Sequence, residues 1–484
     1  MRIYNSATHK KEEFQPIESG KVRMYVCGPT VYDNIHIGNA RTFISFDVIR
    51  RWLIASGYEV TFAQNLTDVD DKIIKRANEQ GRTAAEVATE FSDKFIGVMR
   101  AANVLDPDVR PRATKEIGPM IAMIKTLIEQ GHAYAADNGD VYFAVRSDPN
   151  YGQVSGRNID DLMVGARIEE NEDKNDPLDF ALWKAAKPGE PSWPSPWGEG
   201  RPGWHTECAA MVHRYLGTPI DIHGGGSDLA FPHHENECAQ ATCAWHQGFS
   251  NTWMHTGMLL VDGEKMSKSR GNVVNPDDIV QDYGADTLRT YEMFIGAFDL
   301  SASWSEEGVK GCRRFLERVW KLQDILTDEE GYSADLETKM HQTIKKVSSD
   351  FENLKYNTAI AAMMSLINEF YKKNSITRGE YKTLLTLLNP VAPHITEELW
   401  QTAGFEGRLY QAAWPEYEEE KTVENVVEIG VQVNGKMRVT INVSKDETRE
   451  NVIAMAKEAL GDKLTGNIVK EIYVPGRIVN IVAK

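Results

Sequence analysis

The most constraining feature of this chain is an apolar run that ends at Cys27 and is followed by His36-Ile37-Gly38-Asn39 and a helix-like stretch over residues 40–56. A strand, a Gly-Pro turn and a helix start present backbone N–H groups and the positive end of the helix dipole to an anion. The His36 side chain adds a donor, and the Asn39 amide can donate as well. The order of these elements predicts a phosphate site at the start of the helix.

A second string, Lys265-Met266-Ser267-Lys268-Ser269, places two lysines three residues apart between hydroxyl groups. It lies in a loop bounded by Asp262-Gly263 and Gly271-Asn272. Lysines on a mobile loop are good ligands for phosphate groups. A string of four residues such as His36-Ile37-Gly38-Asn39 often occurs by chance and is a weak signal alone. The prediction of nucleotide chemistry rests on the occurrence of both strings in this order.

Four side chains form a candidate metal site: Cys27, shortly before the first string, and Cys208, His233 and Glu237 further along the chain. A spacing of four places the histidine and the glutamate on one face of a helical turn. Two thiolates, one imidazole and one carboxylate can bind Zn²⁺. Alternatively, both cysteines are ordinary small buried side chains, but their glycine-rich surroundings favour the ligand interpretation.

Together the two strings resemble the signatures of class I aminoacyl-tRNA synthetases, which activate an amino acid with ATP. Residues 1 to about 265 closely resemble a bacterial cysteinyl-tRNA synthetase. The matching stretches are Met24-Tyr25-Val26-Cys27-Gly28-Pro29-Thr30-Val31-Tyr32-Asp33, Asn65-Leu66-Thr67-Asp68-Val69-Asp70-Asp71-Lys72, Pro111-Arg112-Ala113-Thr114, Asp179-Phe180-Ala181-Leu182-Trp183-Lys184, Pro191-Ser192-Trp193-Pro194-Ser195-Pro196-Trp197-Gly198, and His223-Gly224-Gly225-Gly226-Ser227-Asp228 with the following His233-His234-Glu235-Asn236-Glu237.

This resemblance implies specific site residues. The zinc ligands of the family fall on the four side chains named above. The cysteine pocket is formed by Gly28, Thr67, Trp204 and His223, although core packing is an equally simple role for the tryptophan.

The resemblance also implies how ATP is bound. His36 and Asn39 stabilise the charge that develops on the α-phosphate, and Lys265 and Lys268 hold the departing pyrophosphate. The nucleotide is further bound by Gly38, Gly226 and Asp228, of which the last contacts the ribose.

A zinc ion would explain how such an enzyme selects cysteine. Cysteine and serine differ in one atom, and the size of a pocket separates such analogues poorly. A soft thiolate binds zinc much better than a hydroxyl does. We therefore expect no separate editing domain between the two strings.

From the second string onward the resemblance changes to a leucyl-tRNA synthetase, over roughly 215 residues. It rests on Asn272-Val273-Val274-Asn275-Pro276-Asp277-Asp278, Tyr283-Gly284-Ala285-Asp286-Thr287-Leu288-Arg289, Pro390-Val391-Ala392-Pro393-His394-Ile395-Thr396-Glu397-Glu398-Leu399-Trp400, Val431-Gln432-Val433-Asn434-Gly435-Lys436 and Val474-Pro475-Gly476-Arg477-Ile478-Val479-Asn480. A cysteine enzyme normally carries its own helical anticodon domain in this part of the chain. The sequence therefore does not determine which tRNA is charged.

The resemblance and the patterns predict three domains. Residues 1–300 form a doubly wound, Rossmann-type α/β catalytic domain with a connective insertion and the lysine loop. Apolar residues at helical spacing predict a helical anticodon-binding-type bundle over residues 301–415. Alternating strands around an Asn434-Gly435 hairpin turn predict a small α+β tRNA-binding module over residues 424–484.

Composition sets limits on the function. The hydrophobic fraction of 42% and the charged fraction of 26% are typical of a soluble globular protein, and no apolar run is long enough to span a membrane. Five cysteines favour a reducing cytoplasm over a disulfide framework. The net charge of −17 argues against nucleic-acid binding as a bulk property, but local basic patches decide phosphate contact.

The resulting interpretation is a cytoplasmic, monomeric cysteine–tRNA ligase with one Zn²⁺ per chain. Its substrates are L-cysteine, ATP with Mg²⁺, and a tRNA, with tRNA-Cys favoured. Three alternatives were considered: a ligase that joins cysteine to an amino sugar, as in mycothiol synthesis; a non-catalytic RNA-binding paralogue; and an artificial fusion. The long tRNA-type second half argues against the first, the intact strings and ligand set argue against the second, and the sequence does not exclude the third.

Overall fold

The computed structural model of this chain describes residues 1–159, 173–267, 270–423 and 426–484. Within these ranges, no helix combines the length and the apolar character needed to cross a membrane.

The described chain divides into two compact units. Unit 1 comprises residues 1–331 and 346–415, and unit 2 comprises residues 332–345 and 416–484. The predicted boundary near residue 300, between catalytic domain and helical bundle, falls inside unit 1 and stays a prediction.

The secondary structure elements are named in chain order. The strands are β1 (Arg2–Asn5), β2 (Lys10–Glu13), β3 (Lys21–Val26), β4 (Glu59–Ala63), β5 (Ala133–Ala135), β6 (Val141–Phe143), β7 (Phe180–Ala185), β8 (Gly200–Pro202), β9 (Ile220–Gly226), β10 (Ser250–Thr256), β11 (Leu259–Val261), β12 (Glu264–Lys265), β13 (Ala302–Ser303), β14 (Val426–Val433), β15 (Lys436–Ser444), β16 (Ile468–Val474) and β17 (Ile478–Ala483). The α-helices are α1 (Ile37–Ala55), α2 (Asp71–Gln80), α3 (Ala84–Ala101), α4 (Ile117–Glu129), α5 (Trp204–Leu216), α6 (Glu235–Trp245), α7 (Pro276–Tyr283), α8 (Ala285–Phe294), α9 (Glu306–Lys321), α10 (Glu337–Glu352), α11 (Tyr356–Lys373), α12 (Arg378–Leu388), α13 (Pro393–Thr402) and α14 (Arg449–Leu460).

A four-stranded parallel sheet in the order β10-β9-β3-β4 positions the site. One of its two central strands, β3, is apolar at Val22 and from Met24 to Val26, and these four residues are fully buried, as expected for a strand in a covered parallel sheet. The ends of β3 and β9 are in register, with Val26 opposite Gly224, and β10 ends with Thr256 opposite Gly226. The predicted α/β fold is confirmed, and the carboxyl ends of these strands meet at one edge of the sheet.

Helix α1 begins earlier than the sequence pattern indicates. It starts at Ile37 because His36 and Asn39 cap each other: the Asn39 N–H donates to His36 Nδ1 (3.3 Å), and the His36 N–H donates to Asn39 Oδ1 (3.2 Å). The string at the helix start is therefore also a capping motif.

The connective insertion contains an antiparallel sheet in the order β5-β6-β7-β8. Its buried side chains, among them Phe143 and Trp183, share one apolar core with Met123 of α4 and Met211 of α5. This core supports the start of α5, which carries Cys208.

The second half is helical where its apolar spacing predicts helices. Val319 on α9 and Met363 and Phe370 on α11 are fully buried. In unit 2 the sheet order is β15-β14-β17-β16, and α14 packs against it through its apolar face. Asn434 and Gly435 both have positive φ, 49° and 77°, as the predicted type I′ turn requires.

Candidate active site

Four buried side chains converge where β3 ends and α5 and α6 begin. Cys27 Sγ lies 3.6 Å from Cys208 Sγ and 3.4 Å from Glu237 Oε1, and His233 Nε2 lies 2.9 Å from the same carboxylate oxygen. One ligand atom from each of the four lies within 4.8 Å of every other, and each residue is at most 4% exposed. The structure thus brings the four predicted ligands together.

These distances fit a tetrahedral zinc site. With Zn–N, Zn–O and Zn–S bonds of about 2.0–2.3 Å, the edges of the tetrahedron are about 3.3–3.8 Å long. The separations from the Cys27 sulfur, 3.4 Å and 3.6 Å, fall in this range. The 2.9 Å between His233 Nε2 and Glu237 Oε1 is shorter, as expected for a hydrogen bond that a bound ion would replace. The donor set of two sulfurs, one nitrogen and one oxygen suits Zn²⁺.

The two carboxylate oxygens of Glu237 contact different partners. Oε1 faces Cys27 and His233, whereas Oε2 accepts a hydrogen bond from His223 Nε2 at 2.8 Å. A second possible metal group, Cys27 with His223, His234 and Glu237, shares two members with the first. His223 therefore lies behind the glutamate, where it can orient a metal-binding carboxylate, and its predicted contact with the amino acid stays a prediction.

The ionisation of the cluster follows from burial and from its own charges. Burial opposes the charge on Glu237, yet His233 and His223 outweigh it and hold the pKa of this carboxyl well below its usual range. Burial likewise opposes protonation of His233, but Glu237 raises the pKa of the imidazole to about 10. The cluster is thus a network of opposite charges in which a cation can replace protons.

The pKa values of the Cys27 and Cys208 thiols are shifted in opposite directions. Burial raises the pKa of Cys27 well above its usual value, and Cys208 and Glu237 act in the same direction. Burial also opposes ionisation of Cys208, but the hydrogen bond with Cys27 and the neighbouring His233 lower its pKa to about 6. One thiolate forms readily, and a bound cation would favour the second.

Trp204 and His205 flank the cluster at the start of α5. The Trp204 ring stacks on His233 with centroids 4.4 Å apart. His205 Nδ1 lies 3.0 Å from His233 Nδ1, and burial lowers the pKa of His205 well below its usual value. The tryptophan therefore contacts a predicted ligand rather than packing remotely in the core.

A hydrogen-bond chain connects the other predicted pocket residues. The Gly28 N–H donates to Asn65 Oδ1 (2.8 Å), Asn65 Nδ2 donates to Thr67 Oγ1 (3.2 Å), and the Thr67 hydroxyl donates to Glu207 Oε2 (2.7 Å). A side chain at Gly28 would place its Cβ 1.8 Å from the Asn65 carbonyl oxygen, so only glycine fits there. Burial and the adjacent Cys208 raise the pKa of Glu207 well above its usual value.

The start of α1 differs in detail from the anion site that the sequence predicts. The Ile37 N–H donates to the Val274 carbonyl (2.9 Å), and the Asn39 N–H donates to His36. These two backbone amides are engaged within the protein. A nucleotide at this helix start would therefore depend on side chains and on the close approach that Gly38 permits.

The turn after β9 brings another predicted nucleotide residue to the lysine loop. Lys265 forms an ion pair with Asp228, and a Cβ at Gly226 would lie 2.7 Å from Asp228 Oδ1. Lys268 lies outside the described residues, so its predicted contact with pyrophosphate stays a prediction.

Several site residues were not predicted from the sequence. Asn65 lies inside a stretch that carries the family resemblance, and Glu207 and His205 lie beside the predicted Cys208 and Trp204, but the sequence analysis gives none of the three a role. A polar side chain beside a predicted ligand, such as Glu207 beside Cys208, is the signal that could have identified them.

Comparisons with known proteins show the family of the chain. The family described as tRNA synthetases class I (C) catalytic domain matches residues 13–313, and the anticodon-binding domain of tRNA ligase matches residues 334–454. A cysteine–tRNA ligase of Shewanella baltica is 54% identical over 330 residues, which are 67% of this chain and 71% of that protein. The cysteine–tRNA ligase of Shewanella loihica is 52% identical over 320 residues, 66% of this chain and 70% of that protein.

Solved structures share the fold. The LeuRS of Agrobacterium radiobacter K84, in a ternary complex with tRNA and LeuAMS, has a TM-score of 0.68, 16% identity and coverage of 97% of both chains. The methionyl-tRNA synthetase of Mycobacterium tuberculosis in complex with methionyl-adenylate has a TM-score of 0.63, 16% identity and coverage of 81% of this chain and 96% of that one. The chain belongs to the class I tRNA synthetases and is an aminoacyl-tRNA synthetase.

Proposed function

Because the chain is a class I tRNA synthetase, we propose that it is a cysteine–tRNA ligase, which activates L-cysteine with ATP and transfers it to the 3′ end of a tRNA. The observation that carries this proposal is the buried cluster of Cys27, Cys208, His233 and Glu237 at the carboxyl end of the parallel sheet. The cysteine–tRNA ligases of Shewanella support the same amino acid.

The amino-acid side of the proposal rests on the fit of the cluster to Zn²⁺. The four residues would hold the ion, and a bound Zn²⁺ would offer a soft position that takes a thiolate in preference to a hydroxyl. Gly28, Thr67 and Trp204 would line the pocket beside it, since each lies within the network around the cluster.

The nucleotide side uses residues at the same sheet edge. ATP enters with Mg²⁺ as a substrate. His36 and Asn39 would stabilise the charge on the α-phosphate while the cysteine carboxylate attacks phosphorus and the bond to pyrophosphate breaks. Lys265 and Lys268 would hold the pyrophosphate as it leaves, and a tRNA 3′-terminal ribose hydroxyl then takes the cysteinyl group and releases AMP.

The choice of tRNA is the finer part of the proposal. We expect tRNA-Cys, because its acceptor end must enter the proposed cysteine site, with weak discrimination at the anticodon, because the second half resembles the leucine enzyme. The family match over residues 334–454 supports a tRNA substrate and argues against an amino sugar.

Aminoacylation tests the function directly. Transcripts of tRNA-Cys with native and altered anticodons, and tRNA-Leu as a comparison, are incubated with labelled cysteine and ATP. Charging of tRNA-Cys with similar efficiency for both anticodons is expected. Failure to charge any tRNA-Cys would refute the proposed function, and a large loss on changing only the anticodon would refute the tRNA part alone.

We also propose a monomer in a reducing, cytoplasmic compartment. Cys27, Cys208, Cys238, Cys243 and Cys312 are all free and buried, which suits such a compartment.

A further inference from the structure

Asn272 follows the lysine loop, and both ends of its side-chain amide contact the main chain of that loop. Its Oδ1 accepts a hydrogen bond from the Ser267 N–H at 2.8 Å, and its Nδ2 donates to the Lys265 carbonyl at 3.3 Å. An asparagine amide offers an acceptor and a donor side by side, so one side chain can make both contacts. The main chain before and after Met266 is therefore held by a single residue.

Met266, between the two contacted residues, anchors the loop from the other side. Its side chain is only 2% exposed, whereas the side chain of the preceding Lys265 is exposed. Burial of the apolar side chain holds this point of the loop against the protein. Lys268 follows Ser267 directly in the sequence, so the two contacts of Asn272 determine where the chain enters the second lysine.

The segment that carries Asn272 is itself tied to the start of α1. The Val274 carbonyl accepts a hydrogen bond from the N–H of Ile37, the first residue of α1, at 2.9 Å. Gly271 has a positive φ of 68°, which glycine adopts without a steric penalty, so the chain can turn between the loop and this segment. Residues 272–274 thus connect the helix start of the first string to the loop of the second.

We propose that Asn272 is a positioning residue for the departure of pyrophosphate. It fixes the main chain of the lysine loop relative to the start of α1, so that the ammonium groups of Lys265 and Lys268 meet the β- and γ-phosphates of ATP in a fixed geometry. The inference rests on the proposed role of the two lysines and deepens it. Asn272 acts through the loop, because both of its contacts are to the main chain of the loop.

Pyrophosphate exchange with Asn272→Ala tests the inference, because alanine removes both contacts. The kcat for exchange should fall about ten- to hundredfold, as expected when charged groups that act in the transition state lose their fixed position. The KM for L-cysteine and the zinc content should stay near the wild-type values, because the substitution leaves the zinc cluster and the amino-acid pocket intact. An unchanged kcat would overturn the inference.

A double-mutant cycle separates positioning from a general structural role. In protein that already carries Lys268→Ala, the further change Asn272→Ala should cost clearly less than it does in the wild type, because one of the groups to be positioned is gone. The same fold loss in both backgrounds would show that Asn272 does not act through the lysine, and the inference would be wrong.

Limited digestion with trypsin gives a readout that does not depend on activity. The lysine loop offers three cleavage sites, after Lys265, Lys268 and Arg270. Asn272→Ala should be cut in the loop severalfold faster than the wild type, because the loop opens more often once its main chain is released. Equal rates of cleavage in the two proteins would contradict the proposed restraint.

Asn138→Ala is the matched control. Asn138 Oδ1 also accepts a main-chain hydrogen bond, from the Asp140 N–H at 2.8 Å, in the exposed turn between β5 and β6. This variant should keep the wild-type kcat and the wild-type rate of cleavage in the lysine loop, and a loss equal to that of Asn272→Ala would overturn the inference. A wild-type protein with no cysteine-dependent exchange would instead refute the proposed function.

Discussion

Lys265 Nζ lies 2.5 Å from Asp228 Oδ2, so an ion pair joins the β11–β12 hairpin to the turn that follows β9. Both side chains are about half exposed, at 54% and 47%. Both are also proposed to contact ATP, the lysine at the pyrophosphate and the aspartate at the ribose. The nucleotide would therefore have to replace this ion pair with its own contacts to Lys265 and Asp228.

Replacing Asp228 should affect ATP more than stability. An exposed ion pair contributes ~1 kcal/mol or less, so Asp228→Asn should leave the melting temperature nearly unchanged. The KM for ATP in pyrophosphate exchange should rise, because the ribose loses a charged acceptor. A clear drop in melting temperature with an unchanged KM would show that the pair is structural.

Zinc binding should depend on each predicted ligand. Purified, chelator-washed protein should retain about one zinc per chain, and Cys208→Ser should lose both zinc and cysteine activation. Cys312→Ser, which alters a buried thiol on α9, is the control and should retain both. Absence of zinc from the wild-type protein would refute the ligand assignment.

The lysine loop should act on the chemical step. Lys268→Ala should lower adenylate formation by orders of magnitude without loss of zinc, because the charge acts mainly in the transition state. Lys310→Ala removes a surface lysine on α9 and should have no such effect. An unchanged exchange rate in Lys268→Ala would make the loop a structural turn.

Glu292 should make stability fall as pH rises. Burial raises the pKa of this carboxyl from 4.5 to about 8, against the opposing effect of Arg41. Between these values the folded state keeps a proton that the unfolded chain has released, so the free energy of unfolding declines by up to ~1.4 kcal/mol per pH unit. The stabilisation is fully present below about pH 4.5 and is lost as the pH rises through about 8.

The comparison variant is Glu292→Gln, which is neutral at every pH. Its free energy of unfolding, from urea titrations at pH 5, 6, 7 and 8, should decline less steeply than that of the wild type. Parallel curves for the two proteins would contradict the buried, protonated state of Glu292.

Local signals in the sequence predict much of this structure. The Asn434-Gly435 turn and the helices of the second half follow the sequence pattern, because a type I′ turn and regular apolar spacing define these elements without distant contacts. The sequence offers Cys27, Cys208 and His233 as a ligand set through their donor types and through family resemblance, but only the fold brings them together, since they are far apart in the chain. The hydrogen bond between Thr67 and Glu207 could not be predicted at all, because it exists only once the fold brings these two distant residues together.

Cysteine-dependent exchange of pyrophosphate into ATP tests the central claim most directly, because it requires the zinc cluster, the pocket and the lysine loop together and needs no tRNA. The account predicts strong exchange with L-cysteine and near-background exchange with L-serine and L-leucine. Exchange with leucine or serine that equals the exchange with cysteine would contradict it.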